Sequence, residues 1–178
     1  MKKMISILLG TTIIGLSATA LMASDDVRTA EVLAPWHGEG QIYVSEPGKV
    51  KFMGVLKGIM YVQTGHKETI DTLAFVCPSI QELNIKKQTL VTGGDCQIGA
   101  GDDIIYASYE CSGPVGGCEG SFKLKGGTGK FEKISGGSRL SARTKLSETF
   151  IDAASGIALK EATGILILPK LTYKVPKQ

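Results

Sequence analysis

The chain reads as an all-β fold, an antiparallel barrel of about eight strands preceded by a cleaved signal peptide. Three observations predict it. Apolar residues recur with a period of two in segment after segment, the signature of half-buried strands. The breaks between segments are built from Gly, Asp, Asn and Pro, as strand-joining turns are. The composition of the 178-residue chain, with 23 glycines and only 6% aromatic residues, suits tight turns and close backbone contacts better than a helical bundle. At that length, and at 43% hydrophobic, one domain with a real core is expected.

The first 23 residues stand apart. Lys2 and Lys3 lead into a mainly apolar stretch from Ile5 to Leu16, followed by small residues at Ala18, Thr19, Ala20 and Ala23. That order is a secretory signal peptide, cut after Ala23 or after Ala20. The apolar run is shorter than the ~20 residues that span a bilayer, so the mature protein is expected to be soluble, without a membrane span, and exported to the periplasm or medium. Removing Lys2 and Lys3 lowers the formal charge from +3 to +1. Without a basic cluster interleaved with aromatics, nucleic acid is not an expected partner. Residues 24–38 read as an N-terminal extension and 39–178 as a single barrel domain.

Strands follow in order. Glu39 to Val44 opens the barrel. Val50 to Val62 has a wholly apolar even parity (Val50, Phe52, Leu56, Met60 and Val62, with Gly54 and Gly58), and its glycines suggest bending. Thr69 to Val76 is the third, stopped by Cys77-Pro78. Gln81 to Val91 is the fourth, ended by Thr92-Gly93-Gly94-Asp95. Ile104 to Cys111, Glu119 to Lys125, Ser138 to Ser147 and Gly164 to Val175 complete the set. Ser147 to Glu161 is ambiguous between partial helical spacing and a hairpin.

The chemistry-bearing residues are few. Four cysteines in an exported chain invite disulfides, and three connectivities are open. Cys111 and Cys118 flank a loop of turn formers, which favours Cys111–Cys118 and leaves Cys77–Cys96. The absence of CxxC argues against zinc and against a redox-active pair. His37 and His66 lack metal-ligand spacing, so neither a metal nor a cofactor is expected. Gly126-Gly127-Thr128-Gly129-Lys130 fails the phosphate-loop pattern, because Leu124 and Phe131 stand where glycine and Ser or Thr are needed. It reads as a structural turn. Asp102-Asp103 reads as the turn that starts the Ile104 strand.

The segment Gly126-Gly127-Thr128-Gly129-Lys130-Phe131-Glu132-Lys133-Ile134-Ser135-Gly136 resembles the glycine-rich turn of the dirigent proteins and allene oxide cyclases. Gly101-Asp102, and Cys111 and Cys118 ahead of Gly120 and Phe122, resemble related exported bacterial barrels. The resemblance implies an eight-stranded antiparallel barrel with a cavity able to hold a small apolar or phenolic molecule. The acidic, tyrosine and arginine cavity residues of the plant families have no matching positions here.

One strand offers candidate ligand-binding residues. Glu110 shares a parity with Tyr106, and a carboxylate beside a tyrosine inside a barrel could serve as acid/base or ligand anchor. The opposite parity (Ile105, Ala107, Tyr109 and Cys111) is the better core face, because charged side chains are rarely buried without a partner. The expected function is a non-catalytic barrel binding a small apolar ligand or a partner protein. An isomerase, cyclase or dirigent-like enzyme acting on a hydrophobic substrate, and a structural envelope module with a filled core, are the alternatives.

The signal-peptide reading has a direct check. Protein recovered from the cell envelope should begin at Ser24 or Leu21 on N-terminal sequencing, and an exported chain still carrying Met1 would refute it.

Overall fold

The structure, a computed structural model, describes residues 26–65, 70–145 and 162–175. The signal peptide, His66 and the ambiguous segment 147–161 lie outside the described residues. Eight strands are present: β1 (Asp26–Glu46), β2 (Lys49–Thr64), β3 (Ile70–Asn84), β4 (Thr89–Ala100), β5 (Asp103–Pro114), β6 (Gly117–Gly127), β7 (Ser135–Thr144) and β8 (Ala162–Val175). Each pairs antiparallel with its sequence neighbour, and β8 returns to β1 to close the barrel. The expected all-β antiparallel barrel is therefore the fold. Closure gives every strand two neighbours, with residues 39–46 of β1 paired to β2 alone among the described residues. Among the described residues, no helix is long and apolar enough to cross a membrane.

Alternation decides which side chains enter the lumen. The apolar parity of β2 turns inward: Val50, Phe52, Leu56 and Met60 are buried. Phe52, Leu56 and Met60 join Val32, Ala34 and Trp36 of β1, Phe75 of β3, Phe122 of β6, Leu140 of β7 and Leu168 of β8 in one packed cluster. An eight-stranded barrel is just wide enough to be filled by side chains, and here rings fill it over glycines. A methyl group on Gly58 would lie 3.0 Å from the Phe75 ring, and one on Gly94 2.9 Å from the Tyr109 ring. Gly40 and Gly54 face each other across β1 and β2 beneath Phe52. Trp36 lies over Gly164. Bare backbone at these positions makes room for the rings and lets the wall bend.

Both expected disulfides are formed, and both lie inside. Cys77–Cys96 joins directly opposed positions of β3 and β4, with Cα atoms 4.1 Å apart. Cys111–Cys118 joins β5 and β6, with Cα atoms 5.5 Å apart. All four cysteines are buried.

Several strand boundaries differ from the sequence reading, and proline explains two of them. β1 begins at Asp26, so residues 26–38 are half of the first strand and not an extension. Pro35 disguised it, although Ala30, Val32, Ala34 and Trp36 alternate inward around it. β3 runs through Cys77-Pro78. In both cases the ladder is interrupted where proline sits: β1–β2 pairing skips Ala34 and Pro35, and β3–β4 pairing skips Cys77 and Pro78. A residue without an N–H is tolerated at such a gap.

The expected strand from Gln81 to Val91 is divided by a turn at residues 85–88. There the Asn84 side-chain oxygen accepts from the Lys87 N–H at 3.0 Å, and Gln88 adopts φ +54°. Local Asn capping overrode the apolar pattern. Thr92-Gly93-Gly94-Asp95, expected to end a strand, lies within β4, where Gly94 accommodates Tyr109.

Phe52→Ala should therefore remove about 3–5 kcal/mol of stability, because the glycines beneath the ring cannot fill the space it leaves. Denaturant unfolding of oxidised wild type and variant would measure this, and a loss below about 1 kcal/mol would contradict the packing.

Candidate functional site

The lumen holds little chemistry. Among the described residues, the only buried polar side chains outside the apolar set are Ser79 and Thr92, beside the buried ring of Tyr109. The Tyr109 hydroxyl donates to Ser79 Oγ at 2.8 Å, Ser79 Oγ donates to the Cys77 carbonyl at 2.9 Å, and Thr92 Oγ1 lies 3.4 Å from the Tyr109 hydroxyl. Burial pushes the Tyr109 phenol above its ordinary range, against the opposing pull of those hydrogen bonds. The group stays protonated and satisfied at neutral pH. No described charged residue is buried, so this network has no carboxylate or imidazole partner with which to exchange protons.

The structure places Tyr106 and Glu110 outside. Both are exposed, while Ile105, Ala107, Tyr109 and Cys111 of the same strand are buried. A lumenal carboxylate would have needed a compensating charge, and the lumen has none. Glu110 instead borders an outer groove of about 690 Å³ with Ile80, Val91, Glu82 and Glu119. Glu82 is paired with Lys51 at 2.6 Å and Glu119 with Arg143 at 3.3 Å. His37 lies 3.5 Å from Glu39, which also pairs with Lys57. Among the described residues, no three His, Cys, Asp or Glu side chains could jointly hold a metal.

The turn at Gly126, Gly127, Thr128 and Gly129 is a clip. The Thr128 N–H donates to the Ile104 carbonyl at 2.8 Å, and Thr128 Oγ1 accepts from the Ile104 N–H at 3.0 Å while donating to the Asp102 carbonyl at 2.6 Å. The Lys130 N–H donates to Asp103 Oδ1 at 3.0 Å, and Lys130 Nζ lies 2.9 Å from Asp103 Oδ2. Gly129 takes φ +55° and leads a single 3₁₀ turn, Gly129–Phe131. A side chain there would be strained and would collide with Asp103. The lysine of the loop is spent on Asp103, which is a structural use. The turn anchors β6 to the start of β5.

The unusual surface is the outer wall of β8, β1, β2 and β3. Leu33 of β1 faces Tyr61 of β2 on one side and Ile167 of β8 on the other. Ile59 and Met53 continue the face along β2, and Ile70, Val76 and Ile80 along β3. The named residues of β1–β3 are 41–56% exposed. Leu33, Tyr61, Ile70, Ile167 and Pro169 also line a furrow of about 610 Å³. The opposite wall is polar, with exposed Glu110 and Ser112 on β5, Glu119, Lys123 and Lys125 on β6, and Arg139 and Arg143 on β7. The sequence carried the signal. Met53, Val55, Ile59 and Tyr61 make the outward parity of β2 apolar as well, which one buried face does not require.

Comparison of the chain with protein-family models, with curated proteins and with solved structures returns no match. Chemistry and geometry alone carry the functional reading.

The clip sets a pH dependence. The Lys130 backbone N–H, then its ammonium, hold the Asp103 carboxyl below the usual range. A carboxyl lowered on folding stabilises above its unfolded value, and that share is lost as pH falls through the folded value. Asp103→Asn should lower the melting temperature at neutral pH and flatten its decline on acidification. Melting curves from neutral to acid pH test this, and parallel curves for the two proteins would contradict the clip.

Proposed function

We propose that this chain is an exported, non-catalytic binding module that works through the outside of its barrel, with a protein surface as its partner. The observation that carries the reading is the exposed apolar wall of β1–β2–β3, continued by partly buried Ile167 of β8. Monomeric proteins rarely leave apolar patches beyond roughly 300–600 Å² exposed, and larger ones mark interaction sites. The lumen supports the same reading, because its apolar side chains pack on one another and its polar atoms are mutually bonded. The two disulfides fit an oxidising compartment outside the cytosol.

The resemblance to allene oxide cyclases and dirigent proteins enters this proposal through the barrel alone. A cyclase, isomerase or dirigent-like reaction needs polar groups converging on bound substrate, and Ser79, Thr92 and Tyr109 are turned toward one another. A second reading, a small apolar ligand, is favoured by the furrow between Leu33, Tyr61, Ile70, Ile167 and Pro169. Its volume of about 610 Å³ falls within the range of about 300–1,000 Å³ typical of ligand sites.

A photo-crosslinking amino acid at position 59 should give protein adducts in intact cells, whereas one at position 123 on the polar wall should not. Equal yields at both positions, or none at 59, would refute outer-wall binding. A small molecule co-purifying with the native protein, displaced by Tyr61→Ala, would favour the second reading.

A further inference from the structure

We propose that the partner on the apolar wall is a second copy of this chain, packed barrel against barrel across a two-fold axis. The inference rests on the outer-wall reading above and deepens it.

Size is the first argument. The wall spans four adjacent strands, about 19 Å at ~4.8 Å per strand, and runs from Ile70 to Ile80, about 33 Å at ~3.3 Å per residue. That is roughly 600 Å² in projection, and a rough side-chain surface exceeds its projection. A stable interface takes about 800 Å² of accessible surface from each partner. One copy thus supplies a face of the size that a second copy needs.

Charge is the second. Four of the charges set into the wall pair within the chain: Lys57 lies 3.1 Å from Glu39, and Lys51 2.6 Å from Glu82, while Glu31 stands exposed at the rim of the furrow. Two such faces meet without unpaired charge from these four groups, which matters where a symmetry axis places each group near its own copy.

Closure is the third. Every strand has two neighbours, and although stretches such as residues 39–46 of β1 pair on one side alone, the broad four-strand face offers far more surface for association than an edge does. Among the described residues, β5–β7 present Glu110, Lys123 and Arg139 on the other side, with Tyr106 as the exposed large apolar side chain of those strands. Head-to-tail growth would need a second complementary face, so an isologous pair that stops at two is the matching arrangement. The same polar wall argues against a bilayer as occupant, because a membrane-spanning barrel is apolar all round its outside and polar within.

The test uses the processed chain with both disulfides formed. Sedimentation equilibrium should give twice the chain mass. Tyr61→Lys places a charge on the interface twice over and should weaken association by about 100-fold or more, with near-ultraviolet circular dichroism and the disulfide map unchanged. Lys123→Glu should leave association as it was. A crosslinker at position 59 of the purified protein should join β1–β3 of two copies. That readout keeps the wall apolar and decides the matter if Tyr61→Lys does not fold. A single-chain mass at every concentration overturns the proposal, as does a folded Tyr61→Lys that stays dimeric. So does a position-59 crosslink to residues 146–161 of the same chain. A monomeric purified protein that crosslinks to a different protein in cells overturns the second copy and leaves outer-wall binding standing. Absence of adducts in both settings defeats both.

Discussion

Filling a closed eight-stranded lumen is the constraint on which the rest of this structure depends. An unfilled lumen of this size would forfeit van der Waals contacts around its whole lining. A lumen lined on every strand by large side chains would not close. The chain meets both demands by pairing aromatic rings with bare backbone: Trp36 over Gly164, Phe52 over Gly40 and Gly54, Phe75 over Gly58, and Tyr109 over Gly94. Each ring buries about 150–250 Å², worth roughly 4–6 kcal/mol at about 25 cal/mol per Å² before conformational entropy is charged against it. High glycine content and few aromatics are thus two halves of one solution.

Closure in turn governs how irregularities are absorbed. Pro35 and Pro78 each lie at a gap in one ladder, β1–β2 and β3–β4, while the ladder on their other side runs on through them. Beside the second gap, the Cys77–Cys96 bridge holds β3 to β4 where backbone pairing is missing. The Cys111–Cys118 bridge, and the clip of Thr128 onto Asp102 and Ile104 with Lys130 onto Asp103, secure β6 to β5 near its two ends. Covalent and side-chain links stand where the ladder is interrupted or where a turn is conformationally demanding.

A packed interior and a closed wall leave the outer faces as the main exposed surface. Those faces are unequal. The exterior of β5–β7 is charged and solvated, whereas that of β8–β1–β2–β3 carries about half-exposed Leu33, Ile59, Tyr61 and Val76. Burying one such side chain is worth about 1.5–3 kcal/mol when fully removed from water, and the proposed association would draw on several of them. The carboxylate and tyrosine that suggest a lumenal site, Glu110 and Tyr106, belong to the solvated side of that division.

The sequence by itself pointed to the fold class, the inward parity of β2 and β5, the structural character of the Gly126–Gly129 turn and a preference among three disulfide connectivities that the structure then decided. Each of these follows from local chemistry: a period of two, cysteines flanking turn formers, and glycines at a bend. The start of β1 at Asp26 and the passage of β3 through Pro78 were not legible, because a proline is permitted only by a gap in a ladder, and a ladder needs the neighbouring strand. The division of residues 81–91 by a turn was hidden because the local bond from Lys87 to Asn84 outweighs an apolar pattern that continues across it. The outer apolar wall showed in the sequence only as the apolar outward residues of β2, and tertiary structure decided its extent. Leu33, Tyr61 and Ile167 are far apart in the chain, and only closing β8 onto β1 and pairing β1 with β2 makes them neighbours.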